Sequence, residues 1–147
     1  MVKKNVLALW IAAVIFVADQ AVKYILISTI GIGNSLDVIP KIFSFSIITN
    51  EGITFGLFQG NNILFAFVTL IIIGVILFFY HSIPKASVSQ VGIGCILGGA
   101  LGNLTDRIFR GAVVDFINVH VWPIFNLADC AISIGVVLLI YQFSKED

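Results

Sequence analysis

Residues Ile63–Tyr80, ILFAFVTLIIIGVILFFY, carry a single polar side chain, Thr69. A helix needs about 20 mostly apolar residues to cross a hydrocarbon core of roughly 30 Å. Inside that core every backbone N–H and C=O must be paired within the chain, so an uninterrupted apolar stretch of this length reads as a membrane-spanning helix. Working outward, three more segments qualify. Residues 6–27 hold an unbroken apolar run from Val6 to Ala18 before Asp19, Gln20 and Lys23 interrupt it. Residues 88–106 are glycine-rich, with Gly94, Gly98 and Gly102 recurring every fourth residue, a ladder that lets a neighbouring helix approach closely. Residues 124–143 are apolar except for Asn126 and Asp129 near their start, Ser133 and Gln142. No segment has the alternating pattern of a β-barrel strand.

Composition agrees with four spans. Of 147 residues 59% are apolar and 11% charged, against roughly 25% charged in soluble domains, and the mean hydropathy is +1.09. Eight Lys and Arg balance eight Asp and Glu, which leaves no basic field for nucleic acid. A soluble enzyme, a disordered chain and a coiled coil are excluded. Cys95 and Cys130 lie within apolar stretches and outline neither a disulfide framework nor a metal site. The expected fold is a single domain over residues 1–147, an all-α integral membrane protein of four transmembrane helices. The Met-Val-Lys-Lys-Asn start could also open a cleavable signal peptide, but its apolar run ends in Ala18-Asp19-Gln20-Ala21 rather than a small-x-small cleavage site.

Four spans put both termini on one side and the two long connections, 28–62 and 107–123, on the other. Phe43-Ser44-Phe45-Ser46-Ile47 alternates with period two, an amphipathic strand at the membrane surface, and Asn50-Glu51-Gly52 is a turn signal. A small hairpin or cradle returning through Thr54 to Phe58 is expected there. Lys3, Lys4, Lys85 and Lys145 flank the short terminal side, against Lys41, Arg107 and Arg110 opposite. The higher basic density predicts cytoplasmic termini.

Ionisable groups within spans are expensive and mark function. Because the helices alternate direction, Asp19, Asn103, Asp106, Arg107, Asn126 and Asp129 all fall toward the membrane face that carries both long connections. Asp19 with Lys23 and Asp106 with Arg110 are i, i+4 pairs, and Asn126 with Asp129 are i, i+3. Asp115 and Asp129 have no cation within four residues. Two unpaired carboxylates in an apolar site share one proton, the arrangement of aspartic proteases, and suit amide hydrolysis without a metal. His81 lies across the membrane from the cluster, and His120 is a solitary loop histidine. Cys130 points about 100° around the helix from Asp129. Bland alternatives stay open for the remainder. Asp19 and Lys23 can simply neutralise each other, Asp106 with Arg107 and Arg110 can be a structural ion cluster, and Asn103 and Asn126 can be interhelical hydrogen-bond donors. Trp122 and Tyr141 suit interfacial anchors.

Five blocks, in this order and spacing, resemble the lipoprotein signal peptidases, or signal peptidase II. They are Asp19-Gln20 with Lys23, Asn50-Glu51-Gly52-Ile53-Thr54-Phe55-Gly56, Gly102-Asn103-Leu104-Thr105-Asp106-Arg107, Gly111-Ala112-Val113-Val114-Asp115-Phe116, and Pro123-Ile124-Phe125-Asn126-Leu127-Ala128-Asp129. The resemblance covers nearly the whole chain. Thr54 departs from it, standing where the family commonly has a small apolar residue. It implies an intramembrane aspartic endopeptidase of the bacterial cytoplasmic membrane that cuts prolipoproteins before a diacylglyceryl-modified cysteine. It carries the catalytic pair to Asp115 and Asp129. It gives the shaping of the site and the holding of the substrate backbone to Asp19, Asn50, Gly52, Asn103, Asp106, Arg107 and Asn126, with Lys23 in support. It makes residues 40–60 a surface β-cradle, with no cofactor, and the active site near the extracytoplasmic face. The expected partners are lipidated prolipoproteins and membrane lipid, the enzyme itself being a monomer. The residues alone leave two rivals. A proton-coupled transporter would need polar groups through the membrane, whereas the second span has none that ionise. A structural subunit would show no hydrolysis.

Overall fold

The computed structural model describes residues 3–52, 60–83 and 86–145. The chain runs through α1 (Lys3–Thr29), β1 (Ser35–Ile39), β2 (Phe43–Asn50), α2 (Asn62–Phe79), a short 3₁₀ turn (Tyr80–Ser82), α3 (Ser87–Phe109), β3 (Val113–Asn118) and α4 (Leu127–Phe143). The molecule is mostly helical and of membrane type. Helices α1, α2 and α3 are long and apolar enough to cross a membrane, and α4 is a shorter apolar helix.

Helix α3 forms the centre, packed against α1 on one side and α4 on the other. Glycine makes this possible. A Cβ at Gly94 would stand 2.7 Å from the Ala8 carbonyl oxygen, one at Gly98 2.6 Å from that of Ala12, and one at Gly99 2.5 Å from that of Ala128. These are backbone-to-backbone approaches, available where no side chain intervenes. The expected ladder therefore faces α1, while Gly99 does the same for α4. Helix α2 buries none of its residues fully, but Ile73 and Ile76 pack against the core that α1 and α3 share.

The surface sheet is larger than the expected hairpin. It is antiparallel in the order β1-β2-β3, with β3 contributed by the second long connection. The strand predicted from Phe43-Ser44-Phe45-Ser46-Ile47 is present as β2, but its hairpin partner precedes it. The expected return through Thr54–Phe58, like Lys85, lies outside the described residues. Period-two alternation reveals a half-buried strand. Strand β3 is buried on both faces from Val113 to Phe116, which hides that signal and made Asp115 read as loop. Ile47, Val114 and Phe116 form the core under the sheet, against Val22, Leu26 and Ile27 of α1 and Leu127 of α4. Gly31 and Gly33, at φ 87° and 85°, turn the chain from α1 into β1, and the Gly33 N–H donates to the Ile47 carbonyl.

Two helix bounds differ from expectation. Helix α3 continues through Arg107 to Phe109 rather than ending at Asp106. Helix α4 starts at Leu127, so Asn126 is its extended N-cap (φ −128°, ψ 179°) rather than a helical residue sharing a face with Asp129.

Candidate active site

The ionisable residues of α1 and α3 meet in a buried cluster. Lys23, wholly buried, places Nζ 2.8 Å from Asp19 Oδ2 and 2.6 Å from Asp106 Oδ2. Arg110 reaches Asp106 Oδ1 from the surface at 2.5 Å. A buried charge is tolerable only when paired and fully hydrogen-bonded. Backbone donors complete the set, Ala128 N–H to Asp19 Oδ1 at 3.0 Å and Val114 N–H to Asp106 Oδ2 at 3.1 Å. Through them the cluster ties α4 and β3 to α1 and α3. A Cβ at Gly102 would fall 2.6 Å from Asp19 Oδ2, so glycine there leaves room for the carboxylate. Gln20 belongs to this cluster although it was not among the expected site residues. Its amide nitrogen donates to Asp106 Oδ1 and Gly102 O, and its oxygen accepts from Arg110. Its place beside Asp19 in the first motif block was the available signal.

Asp115 and Asp129 arrive from different elements. Asp115 sits in β3, whose neighbours Val114 and Phe116 point into the sheet core. Asp129 is the third residue of α4. The register pairing Ile48 with Asp115 and Asn50 with Val113 carries the Asn50 amide to Asp115 Oδ2 at 3.0 Å. Asn50 is itself oriented by the Gly52 N–H, which donates to Asn50 Oδ1 at 3.1 Å. Asn126 and Asp129 form a capping box. The Asp129 N–H donates to Asn126 Oδ1 at 2.9 Å, and the Asn126 N–H to Asp129 Oδ2 at 3.1 Å. The Asn126 amide nitrogen then reaches Asp115 Oδ1 at 2.7 Å, and that of Asn103 reaches Asp129 Oδ1 at 2.9 Å. All four carboxylate oxygens thus accept an N–H from a neutral amide.

Both aspartates open on one cavity of about 140 Å³, which Asn50, Gly52, Asn103, Arg107 and Val113 also line. Asp115 is 2% exposed. Burial, seconded by the charge of Asp129, pushes its carboxyl up to about 6, against the lowering effect of the Asn50 and Asn126 hydrogen bonds and of Lys23. For Arg107 the sequence left two places open, an ion cluster with Asp106 or the shaping of the site. It leaves Asp106 to Lys23 and Arg110 and lines the cavity, its guanidinium 5.9 Å from the Phe65 ring centroid. One helical step separates neighbouring residues by about 100°, so Asp106 and Arg107 serve different surfaces of α3. A second, apolar groove of about 830 Å³ runs along α4 beside Asp129, walled by Val119, Trp122, Phe125, Cys130, Ile132, Ser133 and Ile134. His120 stands apart in a left-handed conformation (φ 61°), its Nε2 3.4 Å from Ser44 Oγ. Among the described residues no group of three His, Cys, Asp or Glu side chains converges as a metal site.

All ten expected site residues are therefore brought to two adjoining constellations. Asn50, Gly52, Asn103, Arg107, Asp115 and Asp129 line the cavity, Asn126 bridges the aspartates from beneath, and Asp19, Lys23 and Asp106 form the ion cluster.

Comparison with known proteins agrees along most of the chain. The family model for Signal peptidase (SPase) II matches residues 11–145. The lipoprotein signal peptidase of Pelotomaculum thermopropionicum is 44% identical over 137 residues, 92% of this chain and 90% of that protein. The lipoprotein signal peptidase of Halothermothrix orenii is 35% identical over 93% of this chain and 94% of its own length. A solved structure described as a bacterial membrane enzyme superposes with a TM-score of 0.87 at 35% identity, covering 95% of this chain and 88% of the other. With its length matched almost end to end in sequence and in fold, the chain belongs to the signal peptidase II family.

Proposed function

We propose that this protein is an aspartic endopeptidase of the bacterial inner membrane that removes signal peptides from prolipoproteins, cutting before a diacylglyceryl-modified cysteine. Family membership supports a peptidase of lipoprotein precursors. The observation that carries the catalytic assignment is the convergence of Asp115 and Asp129 on one small polar cavity, with neutral amides on every carboxylate oxygen.

In this reading a water held between the carboxyl groups is the nucleophile. The ionised aspartate takes its proton as the oxygen attacks the scissile carbonyl carbon, and the protonated one donates to the carbonyl oxygen. The tetrahedral intermediate collapses when the carbon–nitrogen bond breaks: the proton just gained passes to the leaving amine, and a hydroxyl of the intermediate returns its proton to the other aspartate as the new carbonyl forms, which regenerates the dyad. Asp115, with a carboxyl titrating near 6, suits the member that holds the shared proton. Arg107, Asn50 and Gly52 line the space for substrate backbone. The apolar groove beside Asp129 suits the hydrocarbon parts of the substrate.

The proposed topology has four spans in one domain, with α4 completing its crossing through flanking residues. Both termini are cytoplasmic, and the sheet and dyad lie near the extracytoplasmic face, where a lipid-anchored cysteine can reach them. The working unit is a monomer. The test is cleavage of a diacylglyceryl prolipoprotein and of its unlipidated form by purified protein in detergent with a chelator present. Loss of the signal peptide from the lipidated form alone, abolished in Asp115→Asn and in Asp129→Asn, supports the reading. Near-normal cleavage by either folded variant refutes the dyad.

A further inference from the structure

The mechanism above uses Asp115 and Asp129 and leaves Lys23 as part of a buried ion cluster. Its third contact is of a different kind. Besides Asp19 and Asp106, Lys23 Nζ donates to Asn103 Oδ1 at 3.4 Å, and the other end of that amide donates to Asp129 Oδ1 at 2.9 Å. A carboxamide turned end over end occupies nearly the same space, so its orientation is decided by its neighbours. An ammonium has three hydrogens to donate and nothing with which to accept. Facing Lys23, Asn103 must present its oxygen, and its NH₂ is thereby directed at Asp129.

The other two amides of the site are locked in the same manner by donor-only groups. The Gly52 N–H fixes Asn50, and the Asp129 N–H fixes Asn126. Asn103 differs because its lock is a side chain seated one layer further out. Asn126 Nδ2 also donates to Asn103 Oδ1, at 3.0 Å, but that hydrogen has a second acceptor in the Val114 carbonyl at 3.3 Å. Without Lys23, Asn103 Oδ1 keeps only this shared hydrogen from Asn126, which is itself held by the Asp129 N–H and by Asp115, so the Asn103 amide is held less firmly and rotates more readily. A rotated Asn103 sets an oxygen against the Asp129 carboxylate, replacing an attractive contact with a repulsive one.

We propose that Lys23 is a positioning residue for the reaction, which orients the Asn103 amide so that Asp129 always meets a donor. The inference rests on the dyad reading above. It predicts that losing Lys23 makes the ionised dyad less favourable, moves the acid limb of the activity profile to higher pH, and lowers kcat while KM is little changed. The charged and titratable groups around Asp129 are Asp19 and Lys23 from α1, Asp106 and Arg107 from α3, Asp115 from β3 and Cys130 on α4 itself, so a bare charge effect must be separated from an effect through Asn103.

The experiment is a mutant cycle. Lys23→Met is made together with Asp19→Asn, which keeps the cluster electrically balanced and retains an oxygen for the Ala128 N–H. Asp19→Asn alone is the reference. Each is also combined with Asn103→Ala, and kcat, KM and the pH profile are measured on the lipidated substrate. Expected is a fall in kcat of about tenfold to a hundredfold from Lys23→Met over its reference, the range for misplacing a reacting group. The acid limb should move up with it, and both effects should vanish when Asn103 is already alanine. An undiminished effect in the Asn103→Ala background means that Lys23 acts by charge alone, and an unchanged profile means that it is structural. Either result overturns the proposal. Should the double variant fail to fold, the wild-type chain with ¹⁵N-asparagine decides. The Asn103 NH₂ resonance, identified by its loss in Asn103→Ala, should hold one orientation and respond to the dyad's titration. Orientational averaging or pH-insensitivity would overturn the idea. That spectrum needs no turnover, whereas failure of the dyad reading shows as absent cleavage by wild-type protein.

Discussion

Replacing Asp115 with asparagine should make the folded protein more stable at neutral pH and less stable in acid, while abolishing cleavage at both. In the wild type the folded carboxyl titrates at about 6 against the ordinary 3.8, chiefly because it is buried. Below 3.8 the group holds its proton folded and unfolded, and ionisation takes nothing from stability. Between 3.8 and about 6 the unfolded chain has already released its proton while the buried carboxyl keeps it, so stability falls across that window and levels off above it. A displacement of about 2 pH units corresponds to about 3 kcal/mol lost by pH 7. Asparagine never ionises, so the variant escapes this loss. Its NH₂ cannot accept, however, and one of the two N–H bonds from Asn50 and Asn126 is forfeited, about 1 kcal/mol. The net expectation is a gain of about 2 kcal/mol at pH 7 and a loss of about 1 kcal/mol below pH 3.8, with the sign changing between. Denaturant unfolding in detergent, compared for wild type and variant at neutral, intermediate and acid pH, reads this directly. A stability difference that stays constant with pH, or a variant less stable than wild type at pH 7, would refute the reasoning.

Asp106→Ala should lower stability by about 3–5 kcal/mol, because it strips a partner from wholly buried Lys23 and from the Val114 N–H. Thermal unfolding in detergent measures it, and a change within error would show that the cluster contributes little. Gly98→Ala should cost about 1–3 kcal/mol by forcing α1 from α3, since its Cβ would meet the Ala12 carbonyl at 2.6 Å. Gly74→Ala in α2 has nothing within 4 Å and should be neutral or stabilising by up to about 1 kcal/mol. The same melting experiment compares the pair, and equal effects would count against the glycine packing. Replacing Cys95 and Cys130 together by alanine should leave cleavage of the lipidated substrate intact, and its loss would require a thiol in the chemistry.

Much of the site could be read from spacing because membrane burial makes each charged residue conspicuous. Asp19 and Lys23 at i, i+4 pair as that interval demands, and Asp106 meets Arg110 by the same rule. The interval could not say that Lys23 also bridges to Asp106 on another helix, because helix rotation is set by the glycine contacts of α3 rather than by local sequence. Asn126 and Asp129 were legible as partners but not as a capping box, since the helix start at Leu127 depends on β3 and Phe125 pairing beside it. Whether Arg107, adjacent in sequence to Asp106, joined its ion cluster or faced the site was left open by the spacing, and the structure turns it to a different surface of α3, into the cavity.

What the sequence determined by itself is what local composition and period control. Apolar runs long enough for a bilayer demanded helices, glycine at every fourth residue demanded close packing on α3, and the alternation in β2 demanded a strand. Among the polar residues gathered at one face, Asp115 and Asp129 could be read as carboxylates with no cation within four residues. Tertiary structure alone decided the third strand, the seat of Arg107 in the cavity, and the amide bridges from Asn50, Asn103 and Asn126 that hold the two carboxylates. Those features are pairings between residues far apart in the chain. Their geometry is fixed only when burial forces each polar group to find a partner that sequence distance does not name.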